Sequence, residues 1–210
     1  MRKLGFFLLF ILAKNSVAQN TFHAGLIAGV NGSQIHGNSY SGFNQAGIVG
    51  GGFVCSDPKA NAYFQIEIQY SMKGSRKIAH PDKGDYDIFE LRMNYVEVPF
   101  LARVNFRKLY FEIGETVGFL AGIREWDDYG EIQPTGFRKW ETALIIGTGI
   151  NLNDYWYADL RYTNSIIPVK KFATPLYYPN YLSNLFNKGM YNNVLGLTLA
   201  YRIHKKETNE

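Results

Sequence analysis

From about residue 20 onward, apolar and polar positions alternate with a period of two in segment after segment, as in β-strands with chemically different faces. The last segment is the clearest: Tyr191, Asn193, Leu195, Leu197, Leu199, Tyr201 and Ile203 share one face, and Asn192, Val194, Gly196, Thr198, Ala200 and Arg202 the other. Phe64, Ile66, Ile68, Tyr70 and Met72 oppose Tyr63, Gln65, Glu67, Gln69 and Ser71 in the same way. Val96, Val98, Phe100, Ala102, Val104 and Phe106 oppose Tyr95, Glu97, Pro99, Leu101 and Arg103. Trp140, Leu144, Ile146 and Ile150 oppose Glu141, Ala143, Gly147 and Gly149, while Trp156, Ala158, Leu160 and Tyr162 oppose Tyr157, Asp159, Arg161 and Thr163. Weaker alternation at 22–32, 43–54 and 109–123 brings the expected strands to eight. An even number lets an antiparallel meander close on itself and leave no unpaired edge.

The connections sharpen this expectation. Brief links at Cys55–Asn61, Phe106–Lys108 and Asn153–Asp154 alternate with longer ones at Ser33–Gly42, Gly74–Ile88, Arg124–Arg138 and Ser165–Lys188. An up-and-down barrel then carries all its long loops at one end and its tight turns at the other, as transmembrane β-barrels do. No later stretch has ~18 consecutive apolar residues, so no helical span is expected in the mature chain. The predicted fold is all-β: an eight-stranded antiparallel up-and-down transmembrane barrel with both termini periplasmic.

Two orientations fit the alternation. A soluble barrel carrying an apolar ligand would turn its large apolar residues inward, whereas a membrane barrel turns them outward. Opposite the apolar stripes lie many Gly, Ala, Ser and Thr and a few charges: Glu67, Glu97, Glu112, Asp159, Arg103, Arg161 and Arg202. A water-facing surface would be rich in Lys and Glu. Sparse, nearly balanced charges fit a cross-paired network inside a narrow lumen, and eight strands leave a lumen only wide enough for side chains. Phe64, Tyr70, Phe106, Trp140, Trp156, Tyr191 and Tyr201 are candidates for the aromatic girdles at the two membrane interfaces. Glu115 disagrees, standing between Ile113 and Val117 on the apolar face. Either Gly114 marks a bulge that turns it inward or the register there differs.

Charge first suggests another function. The 210 residues carry a formal net charge of +4 with pI near 9.0, a balance that draws attention to nucleic acid. Residues 1–19 account for it: basic Met1-Arg2-Lys3, an apolar Leu4 to Ala13 and the small-residue exit Ser16-Val17-Ala18 have the layout of a secretory signal peptide. Loss of Arg2, Lys3 and Lys14 leaves 19 basic against 18 acidic residues, and the case for nucleic acid goes with them. The expected organisation is a cleaved signal at 1–19, a barrel domain at 20–204 and a polar periplasmic tail at 205–210. Cys55 has no intrachain partner, which excludes a disulfide scaffold.

Gly25-Leu26-Ile27-Ala28-Gly29-Val30-Asn31, Tyr70-Ser71-Met72-Lys73-Gly74 and Asn94-Tyr95-Val96-Glu97-Val98-Pro99-Phe100-Leu101 together resemble three stations of the small PorT-like outer-membrane barrel domain of Bacteroidetes. Gly196-Leu197-Thr198-Leu199-Ala200-Tyr201 resembles the signal that directs barrels to the insertion machinery, although Val194 and the tail from His204 depart from it. The resemblance implies an outer-membrane location and, through some members, an accessory role in type IX secretion. Such a protein meets outer-membrane lipid and, during biogenesis, the insertion machinery.

Little points to catalysis. His36 near Ser33, Ser39 or Ser41 is a loose Ser/His grouping that an outer-membrane lipid-modifying enzyme would need in tighter form. No Cys or His cluster has metal-ligand spacing, and no cofactor is expected. The acidic segment Asp82 to Asp87 is a weak candidate for Ca²⁺. The loop at 165–188, with Phe172, Pro175, Tyr177, Tyr178, Tyr181 and Phe186, is too aromatic for a freely solvated loop. It is expected either to fold over the barrel mouth or to contact a membrane protein partner.

Overall fold

The computed structural model describes residues 22–38, 40, 42–172 and 188–203. The signal peptide, the tail, Ser39, Ser41 and the loop residues Pro175, Tyr177, Tyr178, Tyr181 and Phe186 lie outside them. The strands are β1 (His23–His36), β2 (Gln45–Cys55), β3 (Ala62–Lys77), β4 (Phe89–Phe106), β5 (Leu109–Asp127), β6 (Gly130–Ile132), β7 (Trp140–Asn151), β8 (Trp156–Ser165), β9 (Lys170–Lys171) and β10 (Gly189–Ile203). Eight of them form an antiparallel ring in the order β1-β2-β3-β4-β5-β7-β8-β10, closed by pairing of β10 with β1 from Ala24↔Ile203 to His36↔Tyr191. The short β6 folds back on β5, and β9 pairs with the start of β10.

Period-two alternation becomes burial alternation. Leu26, Val30, Ile48, Ile66, Ile68, Phe111, Ile113, Leu144, Ile146, Leu197 and Leu199 are all exposed on the outside of the ring. Their partners in the alternation, among them Glu67, Arg103, Glu112, Asp159 and Arg161, are buried inside it. This is the membrane orientation. A soluble carrier would have the reverse, and the apolar ligand cavity it needs is occupied by charge.

Two inward positions leave no room for a side chain. Gly29 and Gly51 face inward, and a Cβ on either would stand 2.1 Å from a carbonyl oxygen of the next strand, Leu197 and Ile68 respectively. Only glycine allows that approach.

Three strands run further than the apolar alternation predicts. β3 continues past Met72 to Lys77, β4 begins at Phe89 rather than Tyr95, and β5 reaches Asp127. In these extensions the faces exchange character. Leu91, Met93 and Tyr95 point inward and pack with Ile35, while Glu90, Arg92 and Asn94 face outward. Beyond the hydrocarbon the medium outside is water, so the barrel wall there follows soluble-protein rules. Tyr191 belongs to this level: it is 4% exposed and is not a girdle residue. Phe64, Tyr70, Phe106, Trp140, Trp156 and Tyr201 are exposed on the outer face.

Glu115 takes neither expected course. The β5 register runs unbroken on both sides of it, Glu115 pairing with Phe100 and with Leu144, and the single shift in β4–β5 pairing lies between Asn94 and Tyr95. Its neighbours Glu112, Thr116 and Gly118 keep the inward parity, so Glu115 is half-buried on the outer face among apolar side chains. A carboxyl group there opposes insertion. Glu115→Leu is expected to raise the unfolding free energy in lipid vesicles by about 1–2 kcal/mol, read from urea titration; a destabilised variant would contradict the outward placement.

Candidate functional site

Side chains from strands on opposite sides of the ring meet in the lumen and form two charged layers. Near the tight-turn end, Arg161 on β8 reaches across to Glu67 on β3 with a two-pronged fork, Nη2 to Oε1 at 2.7 Å and Nη1 to Oε2 at 2.8 Å. Its Nε donates to Glu112 Oε1 at 2.6 Å. Arg103 on β4 completes the layer, donating from Nε to Glu112 Oε2 at 2.9 Å, from Nη1 to Gln65 Oε1 at 2.8 Å and from Nη2 to Asp159 Oδ1 at 3.3 Å. The Tyr110 and Thr198 hydroxyls also donate to Asp159, which leaves the two arginines and three carboxylates fully engaged. Aromatic rings also surround Arg103, whose guanidinium lies 4.7 Å from the Tyr110 centroid and 5.0 Å from that of Tyr157.

The second layer lies toward the long-loop end. Lys73 Nζ sits 2.5 Å from Glu97 Oε1 and 3.2 Å from Glu141 Oε2. Ser165 Oγ and Asn192 Nδ2 donate to Glu141 Oε1 at 2.5 and 3.1 Å, and Gln69 Nε2 donates to Glu97 Oε2 at 3.1 Å. Between the layers remains a cavity of about 30 Å³, bordered by Asn31, Gln69, Thr116 and Thr198. That is room for about two waters.

Of the seven charges expected in the lumen, five (Glu67, Glu112, Asp159, Arg103 and Arg161) come together in one layer. Glu97 belongs to the other. Arg202 stands apart, bonding Asn151 Oδ1 at 2.8 Å with its guanidinium 4.5 Å from the Tyr157 centroid. Lys73 and Glu141 were missing from the expected set. Both carried a signal, since each shares the inward parity of its strand with a residue already assigned to the lumen or its polar lining.

The remaining candidates separate. Ser33 is buried, its hydroxyl donating to Gln45 O at 3.2 Å and accepting from Gly74 N at 2.9 Å, whereas His36 is exposed on the opposite parity of β1. They do not form a catalytic pair. In the β3–β4 loop, Asp85 and Asp87 are both held by Lys77 Nζ, at 2.7 and 3.0 Å, so an ammonium group stands where a bound cation would be. Phe172 is half-buried with its ring beside Gly37 at the end of β1.

The Lys77 hydrogen bond holds the Asp85 carboxyl below the usual carboxylate range, while hydrogen bonds to Asp85 and Asp87 push the Lys77 ammonium up to about 12. A depressed acid contributes stability above the unfolded pKa, about 3.9 for Asp, and loses it as pH falls through the folded value. The raised ammonium contributes below its own unfolded pKa and loses that only as pH rises through about 12. Protection of the Asp85 amide, which bonds His80 O, is therefore expected to persist from about pH 5 to 10 and to drop below about pH 4 in corrected hydrogen exchange. Unchanged protection at pH 3 would remove Lys77 as the clamp.

A closed antiparallel ring with an apolar outer belt, aromatic borders and a charge-filled lumen defines an outer-membrane β-barrel. A family comparison agrees: residues 17–171 match the outer membrane protein beta-barrel domain, and the chain belongs to that family. Its location is accordingly the outer membrane. The fold is similar to that of Ail, the attachment invasion locus protein of Yersinia pestis, at TM-score 0.50 and 12% identity over 86% of this chain and 98% of that one. Neisserial surface protein A is also similar, at TM-score 0.45 and 10% identity over 87% of this chain and 97% of its own. A comparison with curated proteins finds no match.

Proposed function

We propose that this chain is a non-enzymatic outer-membrane barrel with a structural or accessory role, exported by a cleaved signal at 1–19 and inserted with its long loops outside and both termini, including the tail at 205–210, in the periplasm. The observation that carries the reading is the lumen. Arg161 to Glu67, Arg103 to Asp159 and Lys73 to Glu141 bridge strands across it, and the space between the layers suits about two waters rather than a permeation path. With the interior used for its own packing, the barrel acts through its loops and outer surface. The separation of Ser33 from His36 favours this over a lipid-modifying enzyme. The PorT-like resemblance favours protein export as the setting, with the aromatic 165–188 loop as the contact for a membrane protein partner.

Affinity capture from native membranes, with the intact chain and with residues 170–187 deleted, tests this reading. An export component captured by the intact chain and lost on deletion is the expected result. Capture of no membrane protein, or a change in the lipid A profile of a strain lacking the chain, would overturn it. Barrel integrity in the deleted form is checked by heat-modifiable gel mobility.

A further inference from the structure

The acids at the long-loop end are confined to one flank, where Arg76, Lys77, Lys83, Arg92 and Arg124 stand among them. Around the β3–β4 and β5–β6 turns stand Asp82, Asp85, Asp87, Asp127, Asp128 and Glu131. The opposite flank has no acid. Between Glu131 and Glu141 the only charged residues are Arg138 and Lys139, and from Asp159 to Glu207 the chain contains no Asp or Glu. Glu141 itself is consumed inside the lumen.

The fold gathers the cations of these segments. Arg138 N–H bonds Val169 O at 2.8 Å, Phe137 pairs with Lys170, Lys171 pairs with Gly189, and Phe172 N–H bonds Lys188 O at 3.3 Å. Lys139, Lys171 and Lys188 are exposed and Arg138 and Lys170 half-buried. None of the five has an ion pair among the described residues. These cations also share one height on the barrel. Lys139 immediately precedes Trp140, which is 63% exposed on the outer face and packs edge-on against Phe119 at 5.0 Å, and the exposed Ile166 and Ile167 lie just before Lys170. The cations thus begin one or two residues, about 3–7 Å, beyond the aromatic border of the hydrocarbon, where headgroups lie.

We propose that Arg138, Lys139, Lys170, Lys171 and Lys188 form a binding site for the phosphate groups of phosphorylated lipid headgroups in the surrounding outer leaflet. Five unneutralised cations repel one another, and several phosphates at that depth relieve the repulsion; arginine adds a two-pronged contact and lysines add point charges. The acidic flank is set against the same lipid, so the barrel takes it up on one side. This inference rests on the orientation proposed above, with long loops outward, but its test does not.

The probe is purified lipid A carrying both phosphates, with the same lipid after phosphatase treatment as comparison, added to the folded full-length mature protein in neutral detergent and read by native mass spectrometry. Phosphorylated lipid A is expected to bind in a salt-dependent manner and its dephosphorylated form at least tenfold more weakly. Changing all five cations to Gln is expected to lower binding by about tenfold or more, while R76Q/K83Q/R124Q on the acidic flank leaves it unchanged. Equal loss in both variants, equal binding of the two lipids, or saturation by inorganic phosphate alone would overturn the site, as would binding of a soluble sulfated polysaccharide in its place. Heat-modifiable mobility verifies that each variant is folded. Labelling of Lys139 on intact cells reports the orientation separately: failure there indicts the topology and leaves the binding result standing.

Discussion

Arg161→Leu is expected to lower the unfolding free energy of the barrel by about 3–5 kcal/mol, measured by urea titration in lipid vesicles. The arginine contributes little net stability as a member of a buried network, because its desolvation offsets much of its attraction to the carboxylates. Its removal is another matter. Glu67 loses both prongs of its fork, Glu112 loses its 2.6 Å donor, and only Arg103 remains to serve three fully buried carboxylates. Adding Glu67→Leu removes the worst of these uncompensated charges, and Arg103 still holds Glu112 and Asp159. The double variant should therefore recover more than half of the loss. If the second substitution deepened the defect, the layer would not be the charge-balanced unit described here.

Lys73→Met should cost a similar ~3–5 kcal/mol, since Lys73 is the single cation among the described residues that faces Glu97 and Glu141. Methionine matches its length and apolar stem but leaves two carboxylates in the upper layer with only neutral donors, Gln69, Ser165 and Asn192. The two layers share no direct hydrogen bond among the described residues and are separated by the small cavity. Combining Lys73→Met with Arg161→Leu should give losses that add within about 0.5 kcal/mol. A coupling several times larger would mean that the lumen titrates and packs as one continuous network.

The membrane-facing part of the barrel was legible in the sequence because two media impose two chemistries on alternate residues. Ile66, Ile68, Leu197 and Leu199 can only satisfy hydrocarbon, and Glu67, Arg161, Asp159 and Thr198 can only satisfy one another. Legibility ended where that contrast ended. Leu91, Met93 and Tyr95 turn inward above the belt while Arg92 turns outward, so a reading that places apolar residues outside truncates β4 and, by the same logic, overlooks Lys73 beyond Tyr70 and Met72 on β3. Glu115 failed for a different reason. Local parity placed it correctly on the outer face, but its chemistry argued for a bulge that the β5 pairing does not contain. The division of the lumen into two layers was beyond sequence altogether, because it depends on which strands face each other across the ring.

Site-directed spin labelling in lipid vesicles tests most directly that the apolar faces of the strands meet lipid and the polar faces the lumen. Labels at Ile68 and Leu197 should relax with oxygen dissolved in the hydrocarbon and be shielded from a water-soluble nickel reagent. Labels at Gln69 and Thr198, one residue along each strand, should be shielded from both. Ready access of the nickel reagent to Ile68 and Leu197, with oxygen contact at Gln69 and Thr198, would contradict the inside-polar barrel.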